Sequence, residues 1–312
     1  MSEAQRPQHV WLHRFALLTA LATFSLLFVG GLVTSTGSGL AVPDWPTTFG
    51  HNMFLYPLSG MVGGILYEHS HRLLGASVGL LTIVLTLWLW LQESRLWLRW
   101  LGSIALAAVI LQGVLGGLRV VLLAHTLAIV HACLAQAFFA LLISIAFFTS
   151  PQPPGNLAER PVEDVNRLRR LCVLTTSLIY LQVVFGAILR HTGARLDAHL
   201  AFAALVVILV TMLTMHIWRY HFEESALVRP IMLLSGLLVV QLSLGLGVYL
   251  VKYTAMAAMV TPFARVSLTT MHLAVGSLML ATALVLALRT YHLKTVSTPI
   301  TIGKLVSEQV SS

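Results

Sequence analysis

Charge is what this sequence has least of. Only 10% of its 312 residues are Asp, Glu, Lys or Arg, and 57% are hydrophobic, whereas soluble domains carry roughly 25% charged residues. That scarcity excludes a soluble globular domain. The formal net charge of +8 does not point to nucleic acid either, because in a membrane chain Lys and Arg sit where topology requires them. Cysteine is nearly missing: Cys133 and Cys172 both fall in or beside apolar runs, so a disulfide in an outer loop is not expected. Lys and Arg are missing altogether from 35–66, and no proline interrupts an apolar run as bounded below. The start, MSEAQRPQHVWLHR, lacks a small-residue cleavage pattern, so an uncleaved N-terminus is expected.

What remains is apolar length. A membrane span needs about 20 mainly apolar residues, and eight stretches qualify: about 15–34, 71–92, 101–120, 127–149, 171–190, 198–218, 231–251 and 267–288. In lipid the backbone must satisfy its own hydrogen bonds, so the spans are helices. Thirteen of the nineteen Lys and Arg fall on one side if the N-terminus is cytoplasmic. The positive-inside rule then places both termini in the cytoplasm of a multi-pass cell-membrane protein. The six on the outer side, Arg72, Arg119, Arg190, Arg195, Lys252 and Arg265, stand at or near outer span ends. There they snorkel or neutralise anionic groups of a ligand.

The chain is written twice. FVGGLVTSTG (28–37) aligns with VFGAILRHTG (184–193), matching Gly30 to Gly186 and Gly37 to Gly193; LQGVLGG (111–117) aligns with VQLSLGL (240–246), matching Gln112 to Gln241 and Gly116 to Gly245. With four spans in each, the halves form a parallel repeat. The expected architecture is an all-α integral membrane protein whose eight transmembrane helices make a tandem pair of four-helix bundles. Its parts are an N-terminal half (1–150), a Pro-rich and charged cytoplasmic linker (151–170) and a C-terminal half (171–312). The recurrent glycines of the odd spans predict close helix packing, with room for a flat ligand.

Histidines carry the chemistry. Four of the thirteen, His71, His131, His199 and His272, open or lie early in the four even spans. They therefore share a depth near the outer face, two in each half. The other histidines singled out, among them His216 and His221, read as interfacial or loop residues. A lone histidine on an apolar face is more often a hydrogen-bonded core residue than a ligand, but ionisable residues inside membranes are rare and usually functional. Two imidazoles are too few for structural zinc and suit haem iron, whose remaining ligands come from the macrocycle; bundle cores hold cofactors in this way. The expectation is one haem per half, its propionates met by outer basic residues such as Arg72 and Arg190. The halves differ at YEHSHRLLG (67–75). Glu68 shares a helix face with His71, while its counterpart in the second half is Leu196 and that of Arg72 is Leu200. Glu68 either pairs with Arg72 or gives the first half a reaction to perform.

Eight spans in tandem, GGLVTSTGSGLAVPDWP after the first, EHSHRLLG opening the second, and histidines leading the fourth, sixth and eighth together resemble the haem A synthase family up to about residue 290. The resemblance implies oxidation of the C8 methyl of haem O to a formyl group by successive hydroxylations, making haem A for terminal oxidases. It implies that His71 and His131 flank the substrate haem, that Glu68 is the catalytic carboxylate, and that His199 and His272 ligate a resident haem b that relays electrons. Partners implied are haem O, the lipid bilayer, an electron donor of unknown identity and a haem O synthase. Many members carry a cysteine pair in the outer loops; this sequence resembles a branch without it. Asp44 and Trp45 are the notable members of the first outer loop, which caps the substrate site or is merely ordered by them. The alternatives are a dihaem b-type cytochrome carrying electrons only, which leaves the Glu68/Leu196 asymmetry unexplained, and a parallel-repeat transporter.

Overall fold

The computed structural model describes residues 10–151, 160–293 and 295–296. The middle of the linker and the charges at Arg6, Lys294 and Lys304 lie outside them. Among the described residues are eight helices long and apolar enough to cross a membrane: α1 Val10–Ser35, α2 Gly64–Gln92, α3 Leu96–Val121, α4 His125–Phe148, α5 Val162–Thr192, α6 Leu196–Tyr220, α7 Ser225–Tyr253 and α8 Pro262–Thr290. The chain is an all-α multi-pass membrane protein. A two-residue parallel pairing of Arg160–Pro161 with Thr295–Val296 is the sole addition of note.

Neighbour relations close two rings. α1 packs on α2, α2 on α3, α3 on α4 and α4 back on α1; α5 to α8 repeat the circuit, and the rings meet where α1 and α4 face α5 and α8. α8 is the most enclosed helix, with half of its most apolar stretch buried. Each ring has its own packed core. Leu12, Leu85, Leu89, Leu98, Leu142 and Ile145 belong to the first, and Leu168, Leu213, Ile217, Leu227, Leu234 and Leu286 to the second. Both cores fill the end of the bundle away from the four histidines, and the histidine end is lined by glycines instead.

Several threonines within the spans are satisfied locally. Thr19, Thr23, Thr82 and Thr86 each donate their hydroxyl to the carbonyl four residues back, which is how a span tolerates threonine in lipid. Gly193, at φ 72°, stops α5 in the left-handed conformation that glycine adopts without steric cost. α8 begins on Thr261, whose hydroxyl accepts the Ala264 N–H, with Pro262 at the first helical position.

The helices run further than apolar length predicts. α5 starts at Val162 rather than near 171, so the charged segment after the linker is helical, with Glu163 and Asp164 in its first turn, where they complement the helix dipole. α7 starts at Ser225 and takes Pro230 into its interior. Proline leaves the carbonyl four residues back without its helical donor. That carbonyl, of Ala226, accepts from the Arg289 guanidinium at 2.6 Å instead. α8 starts at Pro262, so His272 lies three turns in, deeper along its helix than the one or two turns expected.

Candidate haem-binding sites

The four histidines occupy equivalent niches. Each ring lies against a glycine of the preceding odd helix: His71 on Gly30, His131 on Gly116, His199 on Gly186 and His272 on Gly245. A Cβ at these glycines would stand 3.0, 3.3, 3.3 and 3.1 Å from the imidazole Cε1, closer than ordinary van der Waals contact. The glycines are thus required by the rings, a more specific role than helix packing. The matches Gly30/Gly186 and Gly116/Gly245 become one repeated glycine–histidine contact.

Glutamines complete three of the niches. Gln182 Nε2 is 3.4 Å from His199 Nε2, and Gln241 Nε2 is 3.4 Å from His272 Nε2. Gln112, with its amide oriented to satisfy both ends, donates to His131 Nδ1 at 2.7 Å and accepts the Ala135 N–H. The position in α1 that the repeat aligns with Gln182 is Leu26. The pairing Gln112/Gln241 was visible in the repeat without a role; Gln182 gave no signal, because its partner lies on another helix.

Haem fits the second bundle on its own geometry. The His199 and His272 ring centroids are 6.3 Å apart, with planes at 70°. Two imidazoles sharing one metal ion, each with a metal–nitrogen bond of about 2.0–2.1 Å, would stand at about this separation. The Nδ1 atoms of His71, His199 and His272 are buried, and the rings lie beside the backbone of Leu26, Gln182 and Gln241, partners of the kind that orient an imidazole whose other nitrogen takes a metal.

Around His71 the first bundle departs from the second. Glu68 is only 4% exposed. It accepts the Val42 N–H at 2.9 Å on one oxygen and the Arg72 guanidinium at 3.0 Å on the other. The pairing of Glu68 with Arg72 is therefore present, but it is part of a larger assembly that fastens residues 36–63 over this end of the bundle. Arg72 also donates to the carbonyls of Val42, Asp44 and Thr47. His69, 1% exposed, meets the Thr48 hydroxyl at 3.1 Å and stacks against Tyr56. Trp45 seats on Gly117, where a Cβ would collide with its ring, and Arg119 seats on Gly39. The Trp45–Pro46 peptide is cis. Asp44 accepts from the Phe49 and Gly50 N–H groups and the Thr47 hydroxyl. Burial pushes its carboxyl up, but the Gly50 N–H, the Thr47 hydroxyl and the Phe49 N–H outweigh it and hold the pKa at about 2.

The outer basic residues separate by their remaining donors. A guanidinium has five N–H donors. Arg72 uses four on protein acceptors. Arg190 uses three, on the Gly31 carbonyl, the Ser35 hydroxyl and the Thr269 carbonyl, and so joins α5 to α1 and α8 across the two bundles. Arg119 makes no hydrogen bond among the described residues and stands within electrostatic reach of Glu68, His71, His131 and His191. Arg265 donates to the Ala257 carbonyl. Cys133 and Cys172 are free thiols on α4 and α5, remote in sequence from the 36–63 loop.

Comparison with known proteins bears on the same residues. The COX15-CtaA family, described as cytochrome oxidase assembly protein, matches residues 56–200, a stretch that holds Glu68, His71, His131 and His199. Proteins named "Heme A synthase" are similar to this chain. That of Shouchella clausii is 31% identical over 195 residues, which is 60% of this chain and 62% of the relative.

Over this stretch the chain is similar to the haem A synthases.

A second relative, from Alkalihalophilus pseudofirmus, is 35% identical over 117 residues, 36% of this chain and 37% of its own. A third, from Geobacillus kaustophilus, is 28% identical over 190 residues, 58% and 57%. The matched stretch thus spans about three-fifths or less of these relatives' length.

Proposed function

We propose that the protein is a haem A synthase of the cell membrane, with both termini cytoplasmic and the histidine end of both bundles facing outward. It takes haem O and oxidises the C8 methyl to a formyl group by successive hydroxylations, the geminal diol losing water. The observation that carries this reading is the buried Glu68 beneath a fastened loop, three residues from His71, in one bundle only. A protein that merely conducts electrons through two like sites has no use for a carboxylate in one of them. The "Heme A synthase" relatives support the same reading.

In this assignment His199 and His272 hold a resident haem b, and His71 and His131 flank the substrate haem. The resident haem, when bound, supplies one-electron transfer. The polypeptide does the rest. The paired glycines let the imidazoles lie against the odd helices, and the loop excludes water from the first bundle. Each of the two hydroxylations removes two electrons from the methyl carbon and needs an oxidant from outside the protein, and Glu68 takes at its carboxylate a proton released as the C–H bond is replaced by C–O. Its two hydrogen bonds hold it in one orientation for that task, the positioning on which general-base catalysis depends. Arg119, with all its donors free among the described residues, meets a substrate propionate; Arg190 keeps two donors for a propionate of the resident haem, and Lys252 stands within electrostatic reach of Arg190. Arg72 keeps a single donor and acts chiefly on the loop.

The test is expression with a haem O supply, followed by extraction and chromatography of the non-covalent haems. Haem A appearing only with the intact protein is the expected result. Haem B alone, without haem A or hydroxylated haem O despite ample substrate, would replace the synthase with a dihaem electron carrier.

A further inference from the structure

At the other end of the second bundle three side chains converge that no haem assignment uses. Asp164 lies in the first turn of α5, His216 in the last two turns of α6, and His221 directly after α6. Asp164 Oδ1 is 3.3 Å from His216 Nε2, and Oδ2 is 3.0 Å from His221 Nε2. The three donor atoms lie within 4.8 Å of one another. His199 and His216 are both on α6, about 25 Å apart at 1.5 Å per residue, so this cluster is separate from the haem-side histidines.

His216 is 7% exposed and His221 0% exposed, so both imidazoles meet the Asp164 carboxylate away from bulk water. Tetrahedral ligands with bonds of about 2.0–2.1 Å stand about 3.3 Å from one another; here the two imidazoles stand 3.3 and 3.0 Å from the two carboxylate oxygens, with all three donor atoms inside 4.8 Å. Two imidazoles and one carboxylate from three separate segments form a donor set of zinc and non-haem ferrous sites. Tyr220, 5.0 Å from the His216 ring, and the His221 ring, 5.7 Å from it, hold the imidazole in place. The Asp164 side chain is 23% exposed, which supplies an entry path.

We propose that Asp164, His216 and His221 form a site for one divalent transition-metal ion of the zinc class, with its fourth position open toward water beside Asp164. Bound there, the ion ties the start of the second bundle to the turn between α6 and α7. Arg167, within electrostatic reach of His216, sets a like charge nearby, so the ion is held less tightly than in a four-ligand structural site.

The test uses the full-length, haem-loaded protein in detergent, with any polyhistidine tag removed. It is equilibrated with Zn²⁺, desalted and analysed for zinc per chain. One equivalent is expected, with affinity falling more than about tenfold in Asp164→Asn and in His216→Gln while haem content stays unchanged. No zinc on the parent protein, or equal zinc on both variants, overturns the proposal. Should either variant fail to fold, thermal unfolding of the parent decides. Zn²⁺ is expected to raise Tm by several degrees, reversibly with chelator, since an ion that binds only the folded state stabilises it; an unchanged Tm overturns the site.

Discussion

The two bundles share a frame and differ in what covers it. Both present a histidine against a glycine on each even helix, and both pack their leucine core at the far end. In the second, α5 passes to α6 through residues 193–195 alone. In the first, the same connection is the loop 36–63, fastened by Arg72, Trp45, His69 and Glu68. A repeat duplicated intact gives two equal sites. Here one copy has gained a carboxylate and a cover, while the other keeps a short turn and a second glutamine, Gln182, beside its histidine. The proposed division of labour, chemistry in the first bundle and a resident cofactor in the second, rests on this difference.

The comparison breaks most sharply at Glu68. Glu68→Gln keeps size and one acceptor but removes the base, and general-base catalysis contributes about 10²–10⁴-fold. Haem A output is expected to fall by that order while extracted haem is unchanged; normal haem A output would remove Glu68 from the catalytic role. Next in size is His272→Met in the second bundle. Exchanging one imidazole for a thioether raises a haem potential, so the midpoint of the resident haem shifts upward in a redox titration and its absorbance changes; an unaltered spectrum would dissociate His272 from the haem. Arg190→Ala tests the seam. It removes the Arg190 donors from the Gly31 and Thr269 carbonyls and the Ser35 hydroxyl, at a cost of about 1–3 kcal/mol, read as a lower Tm in detergent and as loss of haem from the second bundle before the first.

The smallest effect concerns Asp44 and acid. Its carboxyl is held at about 2, below its ordinary value of 3.8. A depressed carboxyl stabilises the folded loop fully above its ordinary value and loses that contribution as pH falls toward the depressed one. Trp45 fluorescence is therefore expected to stay constant down to about pH 4 and to change below it, and Asp44→Asn to flatten that change. A fluorescence transition near neutral pH would show that another group governs the loop.

Much of this was legible in the chain because membranes impose long, apolar, self-bonded segments and a repeat doubles every signal. The eight helices, the tandem order and the four histidines follow from length and periodicity. What stayed hidden depends on partners distant in sequence. Glycine next to imidazole looks like ordinary helix packing until the neighbouring helix is placed. Gln182 carries no local mark of its histidine. His216 and His221 read as interfacial residues, because Asp164 lies on another helix. Pro230 entered a helix that apolar length starts one residue later, since Arg289 supplies the donor that proline lacks.

The hydrogen bond from the Val42 N–H to Glu68 has a consequence for timing. A backbone amide of the cover and the buried acid are two ends of one link, so lifting residues 36–63 strips a donor from the carboxylate and lets water reach it. Entry of a ligand from that side and readiness of the acid then exclude each other in time. If Glu68 is the acid of the proposed reaction, the first bundle would serve it as an airlock, in which the acid regains its set orientation only after the outer door has shut.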